Sequence, residues 1–170
     1  MKQPPEVAKP ARAASRPGVR LPAKDVAQVR AIAATANLRT SYQRKALLFS
    51  GPNATAAAEA MARELRRDLD RVDLSAVVSK YIGDSERNLE RLFAEVEAKD
   101  AILLFDEADA LFGKRTEVKD AHDRYSNLAI DYLLRRIEKY DGLVVLVSRP
   151  RLTLSMTLRR RFSAYDFPPL

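Results

Sequence analysis

The chain has 170 residues, 46% of them apolar and 31% charged, with a net charge of +7, one histidine and no cysteine. That length fits one domain with a sizeable core, while the missing cysteines exclude disulfides, thiolate metal sites and thiol nucleophiles, and the lone histidine excludes a histidine-rich metal centre. No apolar run approaches the roughly 20 residues that span a bilayer, and the N-terminus lacks the apolar core of a signal peptide, so the cytoplasm is the expected compartment.

Residues 1–20 read as a disordered basic tail. Lys2, Lys9, Arg12, Arg16 and Arg20, followed by Lys24, face the single acid Glu6, and Pro4, Pro5, Pro10 and Pro17 interrupt a segment without aromatics. Such a stretch buries too little apolar surface to order itself. It leaves nucleic acid open as an electrostatic partner, although no aromatic side chains are interleaved for stacking on single strands. The folded domain is expected over residues 21–170.

From Ala23 to Ala36 apolar residues recur at helical spacing through Val26, Val29, Ile32 and Ala33. A polar connector, Asn37 to Arg44, leads to a short buried strand at Ala46-Leu47-Leu48-Phe49, which ends at Gly51. Ala56 to Asp68 read as an alanine-rich helix with Met61 and Leu65 inward, and Arg71 to Leu74 as a second strand. Asp84 to Ala98 form an amphipathic helix with Leu89, Leu92, Phe93 and Val96 inward, capped by Asp84 or Ser85. The third strand, Ala101 to Phe105, has no polar interruption, as expected of a parallel strand covered on both faces. After a charged loop, Gly113 to Asp120, a helix is predicted from Ala121 to Lys139, then strands at Leu143 to Val147 and Ala164 to Phe167. Strands alternating with helices at this spacing predict an α/β domain around a parallel sheet. The basic clusters at Arg63-Glu64-Leu65-Arg66-Arg67 and Arg135-Arg136 read as solvated helix faces.

Two strand ends carry chemistry. Residues 102–109 read ILLFDEAD, the form of a Walker B element. There Asp106 can hold a Mg²⁺ shell and Glu107 can orient and deprotonate water. The first strand ends in Gly51-Pro52-Asn53-Ala54-Thr55-Ala56-Ala57-Ala58, where a phosphate loop would read G-x-x-x-x-G-K-[ST]. Only Gly51 fits that pattern. Ala56 stands for the second glycine, Ala57 for the lysine that reaches the β/γ-phosphates, and Ala58 for the hydroxyl that holds Mg²⁺. Losing charge-assisted phosphate contacts at roughly 1.5 to 3 kcal/mol each lowers the expected nucleotide affinity by two or more orders of magnitude. The helix N-terminus would remain a weak anion site.

The segments VDLSAVVSKYIGDSERNLERLFAEVE (72–97), ILLFDEADALFGKR (102–115) and DAHDRYSNLAIDYLLRRIEKYDG (120–142) resemble the AAA+ ATPases, particularly a bacterial group found alone or beside contractile injection systems. The resemblance covers roughly Leu21 to Pro168. It implies a three-layer P-loop NTPase core with a five-stranded parallel sheet in order 5-1-4-3-2, and subunits that form rings with ATP and Mg²⁺ at their interfaces. By the same resemblance Lys80-Tyr81-Ile82-Gly83 matches a first pore loop, whose aromatic residue grips a translocating chain. Gly113-Lys114-Arg115 matches a second pore-loop region. Arg159, Arg160 and Arg161 fall where the family places arginine fingers, cations offered to a neighbour's γ-phosphate. His122 reads as a helix-start polar residue without chemistry. Two departures stand out: the strand expected to end in the Thr-Asn of sensor 1 ends in Ser148-Arg149, and the helical lid that follows the fifth strand in the family is not expected in a chain ending at Leu170.

The expected function is a nucleotide-binding-deficient AAA+ domain, a pseudo-ATPase acting through protein contacts or by joining rings of active relatives. One alternative is a residual ATPase that remodels a protein chain passing Tyr81. A second is a basic nucleic-acid module, whose binding would fall steeply with salt.

Overall fold

The computed structural model describes residues 20–38, 46–74, 85–109, 131–149 and 156–169. In chain order these form α1 (Ala23–Leu38), β1 (Ala46–Ser50), α2 (Ala54–Leu65), β2 (Leu69–Asp73), α3 (Ser85–Lys99), β3 (Ile102–Asp106), a helical stretch at 131–139 labelled α4, β4 (Val144–Ser148), α5 (Met156–Arg159) and β5 (Phe162–Asp166). The five strands form one all-parallel sheet in the order β2-β3-β4-β1-β5, the order that the resemblance implied. The predicted helix from Ala121 is described only from residue 131 onward, and residues 1–19 lie outside the described residues.

Strand alternation divides the core in two. Leu48, Leu103, Phe105 and Leu146 face α3 and α4, where they meet Leu89, Phe93, Val96, Leu133 and Ile137. Leu47, Phe49, Ile102, Leu104, Val145 and Val147 face α1 and α2, where they meet Val29, Ile32, Ala33, Ala57 and Met61. Because both faces are covered, every residue of β3 and β4 is buried, which is why these strands read as unbroken apolar runs. On the outer side α3 and α4 are fastened by Arg136. Its guanidinium lies 4.7 Å from the Phe93 ring centre, 2.9 Å from Glu90 and 3.4 Å from Glu97.

Several boundaries differ from those predicted. β2 begins two residues earlier than Arg71, at Leu69, which pairs with Ile102, and β5 begins at Phe162, which pairs with Ala46. α2 ends at Leu65 because Arg66 takes a left-handed conformation (φ 53°, ψ 43°) and Arg67 N–H closes on the Ala62 carbonyl. Glycine is the usual residue at that cap, so an arginine there gives no stop signal. The start of α2, at Ala54 rather than Ala56, bears directly on the site. Among the described residues no helix is long and apolar enough to cross a membrane.

Candidate nucleotide site at the strand ends

The C-terminal ends of β1, β3 and β4 converge, as they do wherever an open α/β sheet builds a site. Ser50 lies opposite Ser148 in register, and Phe105 lies opposite Leu146. Gly51 N–H donates to the Ser148 carbonyl at 3.0 Å, and Ala108 N–H donates to the Val147 carbonyl at 3.0 Å. The turn after β1 and the acidic turn after β3 are therefore both tied to β4.

The turn after β1 is short. Gly51 is left-handed (φ 102°), Pro52 is exposed, Asn53 caps the helix, and α2 is under way by Ala54. Ala54 N–H bonds to the Gly51 carbonyl at 3.2 Å and Ala57 N–H to the Asn53 carbonyl at 2.9 Å. Five of the eight residues read as a phosphate loop, Ala54, Thr55, Ala56, Ala57 and Ala58, are thus helical. The cause is local: alanine is the best helix former, and no glycine follows Gly51 to favour an open loop. Ala54, Ala57 and Ala58 are buried, so the side chain at the lysine position packs into the core rather than facing a ligand.

The segment after β5 lies across this turn. Phe167 N–H donates to the Ser50 carbonyl at 2.7 Å, and Asn53 N–H approaches the Phe167 carbonyl at 3.5 Å. The Asn53 side chain makes no cap hydrogen bond to its own helix. Its Nδ2 donates instead to the Pro168 carbonyl at 3.3 Å and to Asp25 Oδ2 at 3.4 Å, a carboxylate that is 1% exposed. Three oxygen acceptors therefore gather on Asn53, at the helix end where an anion would sit. The weak anion site expected there meets two carbonyls and a carboxylate instead.

At the end of β3, Asp106 is 5% exposed and both its oxygens are engaged. Oδ1 accepts the Glu107 N–H at 2.9 Å, and Oδ2 is ion-paired with the Arg71 guanidinium from β2. Glu107 is half-buried and left-handed (φ 58°), a conformation that costs a side-chain-bearing residue about 1 kcal/mol. Ser148, fully buried, donates its hydroxyl to Asp109 at 3.3 Å, while Arg149 is exposed. Ser148, in place of the threonine, thus keeps a hydroxyl, turned to an acid of the turn after β3, while an exposed arginine stands where the sensor amide was expected.

The sequence profile of the ATPase family associated with various cellular activities (AAA) matches residues 47–168. The chain belongs to this family. Its AAA domain is 30% identical over 124 residues to an uncharacterised AAA family ATPase, y4kL, of Sinorhizobium fredii, covering 70% of this chain and 37% of that protein. It is 33% identical over 100 residues to a probable 26S proteasome regulatory subunit 10B of Caenorhabditis elegans, covering 57% and 25%. Over 115 residues it is 30% identical to a proteasome-activating nucleotidase of Methanococcus vannielii, covering 62% and 28%. The AAA domain described here therefore spans about a quarter to just over a third of the length of these relatives.

Of the residues singled out from the sequence, Gly51 to Ala58, Asp106, Glu107 and Ser148 share one end of the sheet. Arg159, Arg160 and Arg161 do not. They precede Phe162, which pairs with the first residue of β1, so they stand at the opposite end of the sheet from Asp106. Arg159 and Arg160 are exposed, and Arg161 is ion-paired with Glu138 at 3.2 Å. Within one copy of the AAA domain these arginines do not reach the acidic turn. Lys80-Tyr81-Ile82-Gly83, Gly113-Lys114-Arg115 and His122 lie outside the described residues.

Sequence reasoning missed Arg71, Asp25 and the Phe167–Pro168 crossing. A signal existed for Arg71: period-two alternation groups it with Leu69 and Asp73, on a strand that the implied order sets beside β3. For Asp25, 28 residues before Asn53, no local pattern exists.

Proposed function

We propose that this chain is a nucleotide-binding-deficient AAA domain that acts through protein contacts, as a partner in assemblies of related subunits. The carrying observation is that α2 is already helical at Ala54, so the backbone that would wrap phosphates is wound into helix and buried. The AAA ATPase family binds ATP with Mg²⁺, and the residues present do not fit that pair. Ala57 offers no ammonium, Ala58 no hydroxyl and Asn53 is surrounded by oxygen acceptors, while Asp106 has no free carboxylate oxygen. Bringing a triphosphate against Asp25 and two carbonyls adds repulsion where a phosphate loop supplies N–H donors.

The assembly part of the reading is supported by the frame itself. The sheet and its flanking helices are complete enough to bury a double-sided core without nucleotide. Similarity to proteasome regulatory subunits and to a proteasome-activating nucleotidase points to related subunits as partners. Arg159 and Arg160, exposed and remote from the chain's own acidic turn, are available to a neighbour.

Native mass measurement, alone and mixed with an active AAA relative encoded by the same organism, tests this reading. Mixed assemblies that form without nucleotide on this chain support it. A chain that remains a monomer in every mixture, yet releases phosphate at a rate abolished by Glu107→Gln, would establish the enzymatic alternative instead.

A further inference from the structure

We infer that Arg71 is a built-in cation: its guanidinium stands on Asp106 where a nucleotide-bound metal would otherwise be held, fixing the acidic turn in one state whether or not nucleotide is present. This inference rests on the reading above and names the group that makes the site self-contained.

Arg71 lies opposite Leu104 in the β2–β3 register, two residues short of Asp106, and shares the α2-facing side of the sheet with it. Its side chain runs along the strand and reaches Asp106 Oδ2, while the neighbouring Glu107 N–H takes Oδ1. The carboxylate side chain is 7% exposed, against 36% for Arg71. A carboxylate buried this far requires a charged partner, since removing one member of such a pair leaves an uncompensated charge. Position 57 supplies no such partner, being an alanine in the core. Among the described residues Arg71 is the cation whose ion pair with Asp106 the structure records.

A guanidinium suits this role better than an ammonium, being planar, forked and charged at any accessible pH. It also excludes the metal. Mg²⁺ binds through carboxylate oxygens in strict octahedral geometry and gives up its waters reluctantly, so it would have to displace the guanidinium from Oδ2. The strained turn at Glu107 is therefore held by protein groups alone: Arg71 through Asp106, and Val147 through Ala108. A surface built on that turn stays constant, unlike one whose acids respond to a bound metal.

The experiment is a double-mutant cycle on the full chain, with Arg71→Met, Asp106→Asn and the double variant followed by thermal unfolding with and without millimolar Mn²⁺. Arg71→Met is expected to lower the midpoint by about 5 °C. The double variant should lose clearly less than the sum of the single losses. Mn²⁺ should leave the wild-type midpoint unchanged, raise that of Arg71→Met, and leave the double variant unaffected. Arg71→Lys, which keeps the charge, should retain most of the midpoint even if Arg71→Met fails to fold. Additive losses, an Arg71→Lys loss equal to that of Arg71→Met, or equal Mn²⁺ shifts in wild type and Arg71→Met would each overturn the inference. An ATP titration of the wild type separates the two claims. Additive losses without ATP binding remove Arg71's role and leave the preceding reading intact. Saturable ATP binding beside intact coupling removes that reading and leaves the Arg71 pair standing.

Discussion

Asn53 reaches back to Asp25, joining the first residue before α2 to a carboxylate in the first turn of α1 across a distance of 3.4 Å. The pair ties together the two helices that cover one face of the sheet, and it uses the side chain that would otherwise cap α2. Asn53→Ala is expected to destabilise the domain by about 2 kcal/mol, because a buried carboxylate then loses a hydrogen-bond donor. In an Asp25→Ala background the same substitution should cost much less. Urea unfolding of the four proteins measures this coupling, and equal costs in both backgrounds would show that the contact contributes nothing.

Gly51 is the one phosphate-loop residue that survives, and its role here is conformational. At φ 102° a Cβ would fall 2.8 Å from the Phe167 carbonyl carbon and 3.2 Å from Asp166 Oδ1. Gly51→Ala should cost about 2 kcal/mol, lowering the melting temperature by about 5 °C. An unchanged melting temperature would mean that the Phe167 crossing is not held against the turn in solution.

The interior of this domain was legible because β3 and β4 need no polar face. The runs Ile102 to Phe105 and Val144 to Val147 can be read as strands covered on both sides, and Leu89, Phe93 and Val96 mark the inner face of α3. The position of Asp106 and Glu107 at a strand end followed from the same run. The closed turn was not legible. A phosphate-loop template aligned at Gly51 sets the helix start at residue 56, whereas the helix-forming tendency of Ala54 to Ala58 draws it back to residue 54. Arg71 was hidden for another reason. A charge on an edge strand ordinarily faces solvent, so alternation and strand order could place Arg71 beside β3, while the β2–β3 register was needed to set its tip on Asp106.

Gly142 shows how close packing limits substitution elsewhere. A Cβ there would lie 2.5 Å from Tyr140 Cζ and 2.6 Å from its hydroxyl. Tyr140 is 5% exposed and its ring centre stands 5.3 Å from that of Phe93, so it has little room to retreat. Gly142→Ala is expected to destabilise by about 1 to 2 kcal/mol through overpacking. Calorimetry of the variant checks this, with a melting temperature equal to that of the parent counting against it.

The clasp between α3 and α4 carries a pH dependence. The Tyr132 hydroxyl, donating at 2.5 Å, and then the nearby Arg136 charge hold the Glu90 carboxyl below its ordinary range. A depressed folded-state pKa means that ionised Glu90 favours the fold. Its contribution is fully present above the unfolded-state pKa and is lost as pH falls through the folded-state value. Glu90 is exposed, so the effect is small, about 0.5 kcal/mol. Glu90→Gln should therefore destabilise by that amount at neutral pH and converge on the parent in acid. A deficit that persists unchanged in acid would point to a cause other than charge.

Titration of the wild-type chain with a fluorescent ATP analogue in Mg²⁺ decides whether the wound loop has removed nucleotide binding. A helix that begins at Ala54, a buried Ala57 and an Asp106 held by Arg71 predict no saturable signal at micromolar concentrations. Micromolar saturation that disappears in Asp106→Ala would contradict that prediction and return the chain to the nucleotide-binding members of its family.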